Sequence, residues 1–285
     1  MYRFVALITL SLTLCVNAYA ASVWEVTDGE NTMYLGGTLH ILSPSDYPLP
    51  DAYKAAYEAS DSLVFETDLA ALTSPEFGRK SMELLTYGES GTLSDDISDK
   101  TMKALKAHLE ERGIPVDRFM NMRPAMVGIT LSMIEFQRMG LTSQGVDRFY
   151  YTVGMGDGKP MLWLETPEEQ LHFIAKLGEG EEDAYLQYSI DDVEELPELL
   201  PELREDWREG DMDGLYSLAM QDFKKEYPDV YHSILTQRNN NWIPELIKMM
   251  KTPETEFVLV GTLHMPGEGG ILAQLKDQGY TITKK

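Results

Sequence analysis

The chain has 285 residues, 43% of them apolar, a single cysteine and a formal charge of −23, with 47 Asp and Glu against 24 Lys and Arg. Such an acidic balance excludes a general nucleic-acid binder, which needs a basic surface. A lone thiol excludes a disulfide framework or a thiolate-rich zinc site, so chemistry falls to histidines, carboxylates and hydroxyls.

Residues 1–20 read as a secretory signal peptide. Arg3 gives a positive start, an apolar run covers 4–16, and Ala18-Tyr19-Ala20 places small residues where a signal peptidase reads them. Cleavage there would begin the mature chain at Ala21, remove Cys15 and deliver an exported, periplasmic or secreted protein of bacterial type. No later stretch is long and apolar enough to span a bilayer, so no membrane anchor is expected in the mature chain. Residues 21–285 are expected to form one domain.

Asp28-Gly29, between Trp24-Glu25-Val26 and Met33-Tyr34-Leu35, predicts an opening hairpin. An Ala-rich helix over 51–60 precedes the buried strand Ser62-Leu63-Val64-Phe65. Helices follow near 75–87 and 98–112, the second closed by Gly113-Ile114-Pro115. From Pro124 to Met139 apolar residues fall on every face, which predicts a helix buried all round. Gly154-Met155-Gly156-Asp157-Gly158 reads as a turn into the strand Met161-Leu162-Trp163-Leu164, and Thr166-Pro167-Glu168-Glu169 as a capping box. Residues 179–209 carry thirteen acids against Arg204 and Arg208, with Leu and Tyr interspersed. That pattern predicts a set of helices with one solvated acidic face, within a helical insertion over about 179–250. The chain closes on strand Phe257-Val258-Leu259-Val260, a helix over 269–278 and strand Tyr280-Thr281-Ile282. Strands early and late predict an α/β fold: one mixed sheet formed by the N- and C-terminal segments, with a mainly helical middle.

The tetrapeptide Gly37-Thr38-Leu39-His40 recurs as Gly261-Thr262-Leu263-His264, each copy behind a strand-like run. A glycine leaving a strand lets the backbone turn and approach a ligand closely. Three residues on, an imidazole stands beyond the strand's carboxyl end, where open α/β sheets bind their ligands. Two such turns on neighbouring strands would face two imidazoles toward one point, as a divalent metal requires. Two further strands run into acids, one into Glu66 with Asp68 beyond, the other into Glu165. His40, Glu66, Glu165 and His264 are therefore candidate metal ligands, with one carboxylate left as general base. Arg238 heads the run Asn239-Asn240-Asn241-Trp242. Asparagine runs are commonly turns, yet Arg238 beside Asn239 can also supply donors to an oxyanion, and Arg123 is a second candidate of that kind. His108, His172 and His232 read as surface or core-edge residues. The sequence has no His-Glu-x-x-His, no Gly-x-Ser-x-Gly, no Walker loop and no Rossmann fingerprint.

In chain order, Tyr34-Leu35-Gly36-Gly37-Thr38-Leu39-His40, Phe65-Glu66-Thr67-Asp68-Leu69, Gly145-Val146-Asp147, Leu164-Glu165-Thr166 with Glu169-Gln170-Leu171, Arg238-Asn239 and Val260-Gly261-Thr262-Leu263-His264 resemble the TraB/GumN (TraB/PrgY/GumN) family. That family is similar to the Tiki metalloproteases of animals, which rely on two Gly-x-x-His motifs and a glutamate. The resemblance implies His40 and His264 as metal ligands and Glu66 as catalytic or metal-binding acid. It implies Arg238, Asn239 and Glu165 as pocket residues, in the mixed α/β arrangement of erythromycin-esterase and haem-binding ChaN-like proteins. Where many members carry Pro-Trp, this chain has Pro124-Ala125. The expected function is an exported metal-dependent hydrolase acting on a peptide or protein. His40 and His264 would hold Mn²⁺, Co²⁺ or Zn²⁺ with a carboxylate, Glu66 would take a proton from water, and Arg238 or Asn239 would steady the oxyanion. The alternatives are a non-catalytic periplasmic binder of peptide, haem or metal, and an accessory protein of polysaccharide export.

Overall fold

Six strands form one sheet in the computed structural model, which describes residues 21–285; the expected signal peptide over 1–20 lies outside the described residues. In chain order the strands are β1 (Val23–Thr27), β2 (Thr32–Thr38), β3 (Ser62–Phe65), β4 (Met161–Trp163), β5 (Glu256–Gly261) and β6 (Thr281–Lys284). Across the sheet they run β4-β3-β5-β2-β1-β6. The neighbours β4, β3, β5 and β2 are parallel, whereas β1 pairs antiparallel with both β2 and β6. This is the mixed α/β sheet with a helical middle that the sequence predicts. Its parallel half brings four strand ends to one edge.

The opening hairpin turns where Asp28 accepts hydrogen bonds from the Glu30 and Asn31 amides and Gly29 takes φ of +97°. Alternation along β5 then divides the core. Phe257 and Leu259 pack with Tyr53, Tyr150 and Trp207 on one face. Val258 and Val260 pack with Trp242, Leu246 and Ile271 on the other. Both faces of the central strands are covered, as parallel sheets demand. A third apolar cluster, including Leu105, Leu131 and Ile190, ties together the helices Asp99–Glu111, Pro124–Arg138 and Glu182–Glu209.

Four segments depart from the sequence prediction. The acidic stretch is one 28-residue helix, Glu182–Glu209, that carries Pro197 and Pro201 inside it. Leu186, Ile190 and Val193 bury its first half, and Trp207 anchors its far end by donating an indole N–H to Gly37 O at 2.8 Å. Its two arginines clamp one loop: Arg204 pairs with the Asp46 carboxylate and Arg208 donates to the Asp46 carbonyl. The helix Pro124–Arg138 is not buried all round, since Ile129 and Met133 are each 37% exposed. Gly154 and Gly156 lie within the helix Val146–Asp157, not in a turn. A Cβ on Gly154 would stand 2.6 Å from the Leu63 side chain, so glycine is what lets this helix sit on the sheet. The asparagine run is likewise helical, within Gln237–Met249, and follows a π-helical turn over His232–Thr236. Among the described residues, no helix is long and apolar enough to cross a membrane.

Candidate functional site

Four strand ends supply the site. His40 follows β2, Glu66 follows β3, Glu165 lies two residues beyond β4, and His264 closes a 3-10 turn, Thr262–His264, directly after β5. Glycines give these groups their space. A Cβ on Gly261 would meet Glu66 Oε1 at 3.1 Å, His264 Cδ2 at 3.5 Å and His40 Nε2 at 3.6 Å, so three side chains converge on its bare α-carbon. Gly145 works from the side: a Cβ there would lie 2.3 Å from Leu39 O, while the next amide, Val146 N–H, donates to that same oxygen at 3.0 Å. This close approach starts the helix Val146–Asp157 against the His40 turn and carries Asp147 to the imidazole.

The hydrogen bonds assign the tautomers. Asn239 uses its amide nitrogen toward two carbonyls, His264 O at 3.2 Å and Gly269 O at 2.8 Å. Its Oδ1 must therefore accept from His264 Nδ1 at 2.6 Å, which leaves the lone pair on Nε2. Arg238 Nη1 stands 3.1 Å from that Nε2. In His40 the same nitrogen is engaged, Nδ1 meeting Asp147 Oδ1 at 3.2 Å. Glu66 Oε1 accepts from Gly261 N–H at 2.6 Å, and its Oε2 accepts from Arg238 Nη2 at 2.5 Å and Gln170 Nε2 at 3.2 Å. Arg238 also grips Glu165 through Nη2 at 2.6 Å and Nε at 3.1 Å, and stacks over Trp242 at 4.7 Å. Trp242 N–H completes the Glu165 shell at 3.2 Å.

These contacts set the charges. Burial favours the neutral form of His264, and Arg238 adds to it against the pull of Glu66, so the group falls to about 3 and is a neutral imidazole at physiological pH. His40 differs, with 61% of its side chain reaching solvent. Packing against the strand ends disfavours its cation, but Asp147 and Glu66 outweigh this and push it up to about 9. Burial would raise Glu66; Arg238, the two histidines and the Gly261 amide hold it instead well below the usual carboxylate range. Glu165, behind Arg238, is raised by burial. Burial opposes the Arg238 cation as well, yet Glu66 and Glu165 keep it raised above its ordinary value.

A cleft of about 730 Å³ opens over this floor. His40, Glu66, Asp147, Gln170 and Arg238 line its polar end, and Phe65, Leu69, Ile129, Phe173 and Ile234 supply apolar walls. The volume suits a small organic or peptidic ligand. Of the sequence candidates, the structure brings His40, Glu66 and His264 together, with Arg238 among them. Glu165 commits its oxygens to Arg238 and Trp242. Asn239 commits its donors to carbonyls, so it orients His264 and has no N–H left for an oxyanion. Arg123 is elsewhere, donating to Thr86 O and lying over the Tyr87 ring. His108 is fully enclosed rather than at a core edge, near Glu135 and Glu194.

Sequence reasoning did not single out Asp147, Gln170 or Trp242 for site roles. Trp242 lies four residues after Arg238, a helical spacing that would have paired them had the asparagines been read as helix. Asp147 and Gln170 fall in the first turns of helices whose starts, Gly145 and Thr166, are visible as caps.

A divalent cation can be tested against these donors. Both imidazoles have Nδ1 tied to an oxygen and so offer Nε2, the arrangement that second-shell partners impose on metal-bound histidine. Glu66 Oε1 points into the same cradle over Gly261. The spacing is loose: Glu66 Oε1 and His264 Nε2 are 3.9 Å apart, and among the described residues no three His, Cys, Asp or Glu are gathered as an ion-holding group. The donor chemistry fits; closure around an ion would draw Arg238 off His264.

Residues 22–284 match the sequence model described as the TraB/PrgY/gumN family. No curated protein and no solved structure matches the chain.

Proposed function

The chain belongs to the TraB/PrgY/gumN family, and from that premise we propose that it is an exported, metal-dependent hydrolase whose substrate is a peptide. The observation that carries the reading is the pair of oriented imidazoles, each held through Nδ1 and each turning Nε2 toward Glu66; an ion would displace the His40 proton and the Arg238 donor from those nitrogens. His40, His264 and Glu66 would hold the ion, and Mn²⁺, Co²⁺ or Zn²⁺ are suited to that N₂O donor set. Such an ion, when bound, polarises a carbonyl and acidifies water. A carboxylate held as low as Glu66 takes up a proton poorly, so its ligand role is favoured over that of general base. Arg238 keeps Glu66 ionised and lends its Nη1–H, now shared with His264, to a developing oxyanion. Glu165 and Trp242 lock the guanidinium in place, and the apolar walls seat the substrate's side chains and exclude water. Export rests on the leader-like residues 1–20.

The test is metal content and peptide cleavage in the purified protein. The wild type should take up close to one divalent ion per chain and cleave peptides, and the double variant His40→Ala, His264→Ala should do neither. A double variant that keeps both ends the proposal. A non-catalytic binder is favoured by one observation: Arg238 already balances Glu66 and covers His264 Nε2 without an ion. That reading expects peptide binding with neither metal uptake nor turnover.

A further inference from the structure

We propose that Arg148 receives a carboxylate of the peptide in the cleft, so that the site selects substrates by a negative charge placed beside the hydrolysed bond; this rests on the peptidase reading above. The charged groups lining the cleft are otherwise matched. Asp147 meets His40, and Glu66 meets Arg238. Arg148 lines the same cleft, and among the described residues no carboxylate lies within 4.0 Å of it. The hydrogen bond made at this residue is by its backbone, whose carbonyl accepts from Thr152 Oγ1. An arginine without a carboxylate, in a cleft whose other charges are matched, leaves its donors open to an anion. Five N–H donors in a planar fork suit a carboxylate better than any other group of a peptide.

The place of Arg148 in the chain strengthens the assignment: it directly follows Asp147 in the first turn of the helix Val146–Asp157, the helix that brings Asp147 to His40. A peptide in the cleft then meets one guanidinium committed to Glu66 and Glu165 and another without a carboxylate. The apolar walls lower the local dielectric and sharpen that contact.

The carboxylate has two sources, the α-carboxylate at a peptide's end or an Asp or Glu side chain, and matched probes separate them. Calorimetry on the whole protein with a chelator present would compare N-acetyl-Leu-Phe as free acid and as amide, and N-acetyl-Leu-Glu amide with N-acetyl-Leu-Gln amide. The expected result is about tenfold tighter binding of the charged member in one pair, the pair that shows it naming the source. Arg148→Gln should bring that ratio to about one, and Arg148→Lys, which keeps the charge but loses the fork, should leave it intermediate. Equal binding within both pairs, no binding, or a ratio that survives Arg148→Gln overturns the proposal. Cleavage assays with added Mn²⁺ separate the two levels. Hydrolysis indifferent to the carboxylate removes the role of Arg148 and leaves the peptidase; a preference in binding with no cleavage does the reverse.

Discussion

In its first copy, Gly-Thr-Leu-His lets β2 run through Thr38 and leaves His40 at the mouth of the cleft against Asp147. In its second, β5 stops at Gly261, a 3-10 turn takes over, and His264 is 5% exposed behind Asn239. Register accounts for part of the difference: Thr38 lies opposite Gly261, so the second copy begins one residue further along the shared edge. Depth and partner account for the rest. Burial, with an amide on Nδ1, leaves His264 neutral, whereas a carboxylate on Nδ1 and Glu66 nearby outweigh burial and favour the cation of His40. Identical local sequence thus brings an imidazole to a strand end, and residues elsewhere in the chain decide its depth and its proton.

The deep half of the site should be the fragile one. Arg238→Met leaves Glu66 and Glu165 buried without their shared cation, and a loss of roughly 3–5 kcal/mol is expected in denaturant unfolding. His40→Ala, at the exposed copy, should cost less than that. Equal losses for the two would erase the contrast. A narrower comparison sets the two Nδ1 partners against each other. Asn239→Ala strands a buried ring N–H and should cost about 1–3 kcal/mol, whereas Asp147→Ala removes a pair whose imidazole reaches solvent and should cost less. A reversed order would place the support of the site on the wrong copy.

A last contrast is one of sign. His264 titrates lower in the folded chain than its ordinary 6.5, so its contribution to stability is present above about 6.5 and is lost as pH falls toward 3. His40 titrates higher, so its contribution is present below about 6.5 and is lost as pH rises through about 9. Ring proton resonances followed with a chelator present should show one histidine titrating near 9 and another still neutral at pH 5. Two rings both titrating near the ordinary value would contradict the assignment of partners.

What was legible in the sequence was local. An apolar run that ends in Gly-x-x-His or in a glutamate announces a strand end, and four such ends are enough to suggest one edge. The conformations of the two copies were not legible, because they depend on Asp147 and Asn239, both far along the chain. Turn propensity misread Asn239-Asn240-Asn241, since burial of Trp242, Ile243 and Leu246 holds that stretch helical. The same tertiary override makes one long helix of 182–209 despite two prolines, with Leu186 and Ile190 at one end and Trp207 at the other. Gly145 carried a signal of a different kind. Its place in a motif was visible, but the reason, contact with a backbone more than a hundred residues earlier, exists only in the folded chain.

The π-helical turn over His232–Thr236 has a consequence for how this site could be gained or lost. Such a turn holds one residue more than an α-turn, and each helical residue advances the direction of its side chain by about 100°. It therefore works as a phase shifter, letting Tyr231 and Leu235 be buried while Arg238, Asn239 and Trp242 address the strand edge. Removing a single residue from it would leave a regular helix with those two sets out of step. A lineage could disarm this cleft by a one-codon deletion, with every histidine, glutamate and arginine of the site still encoded.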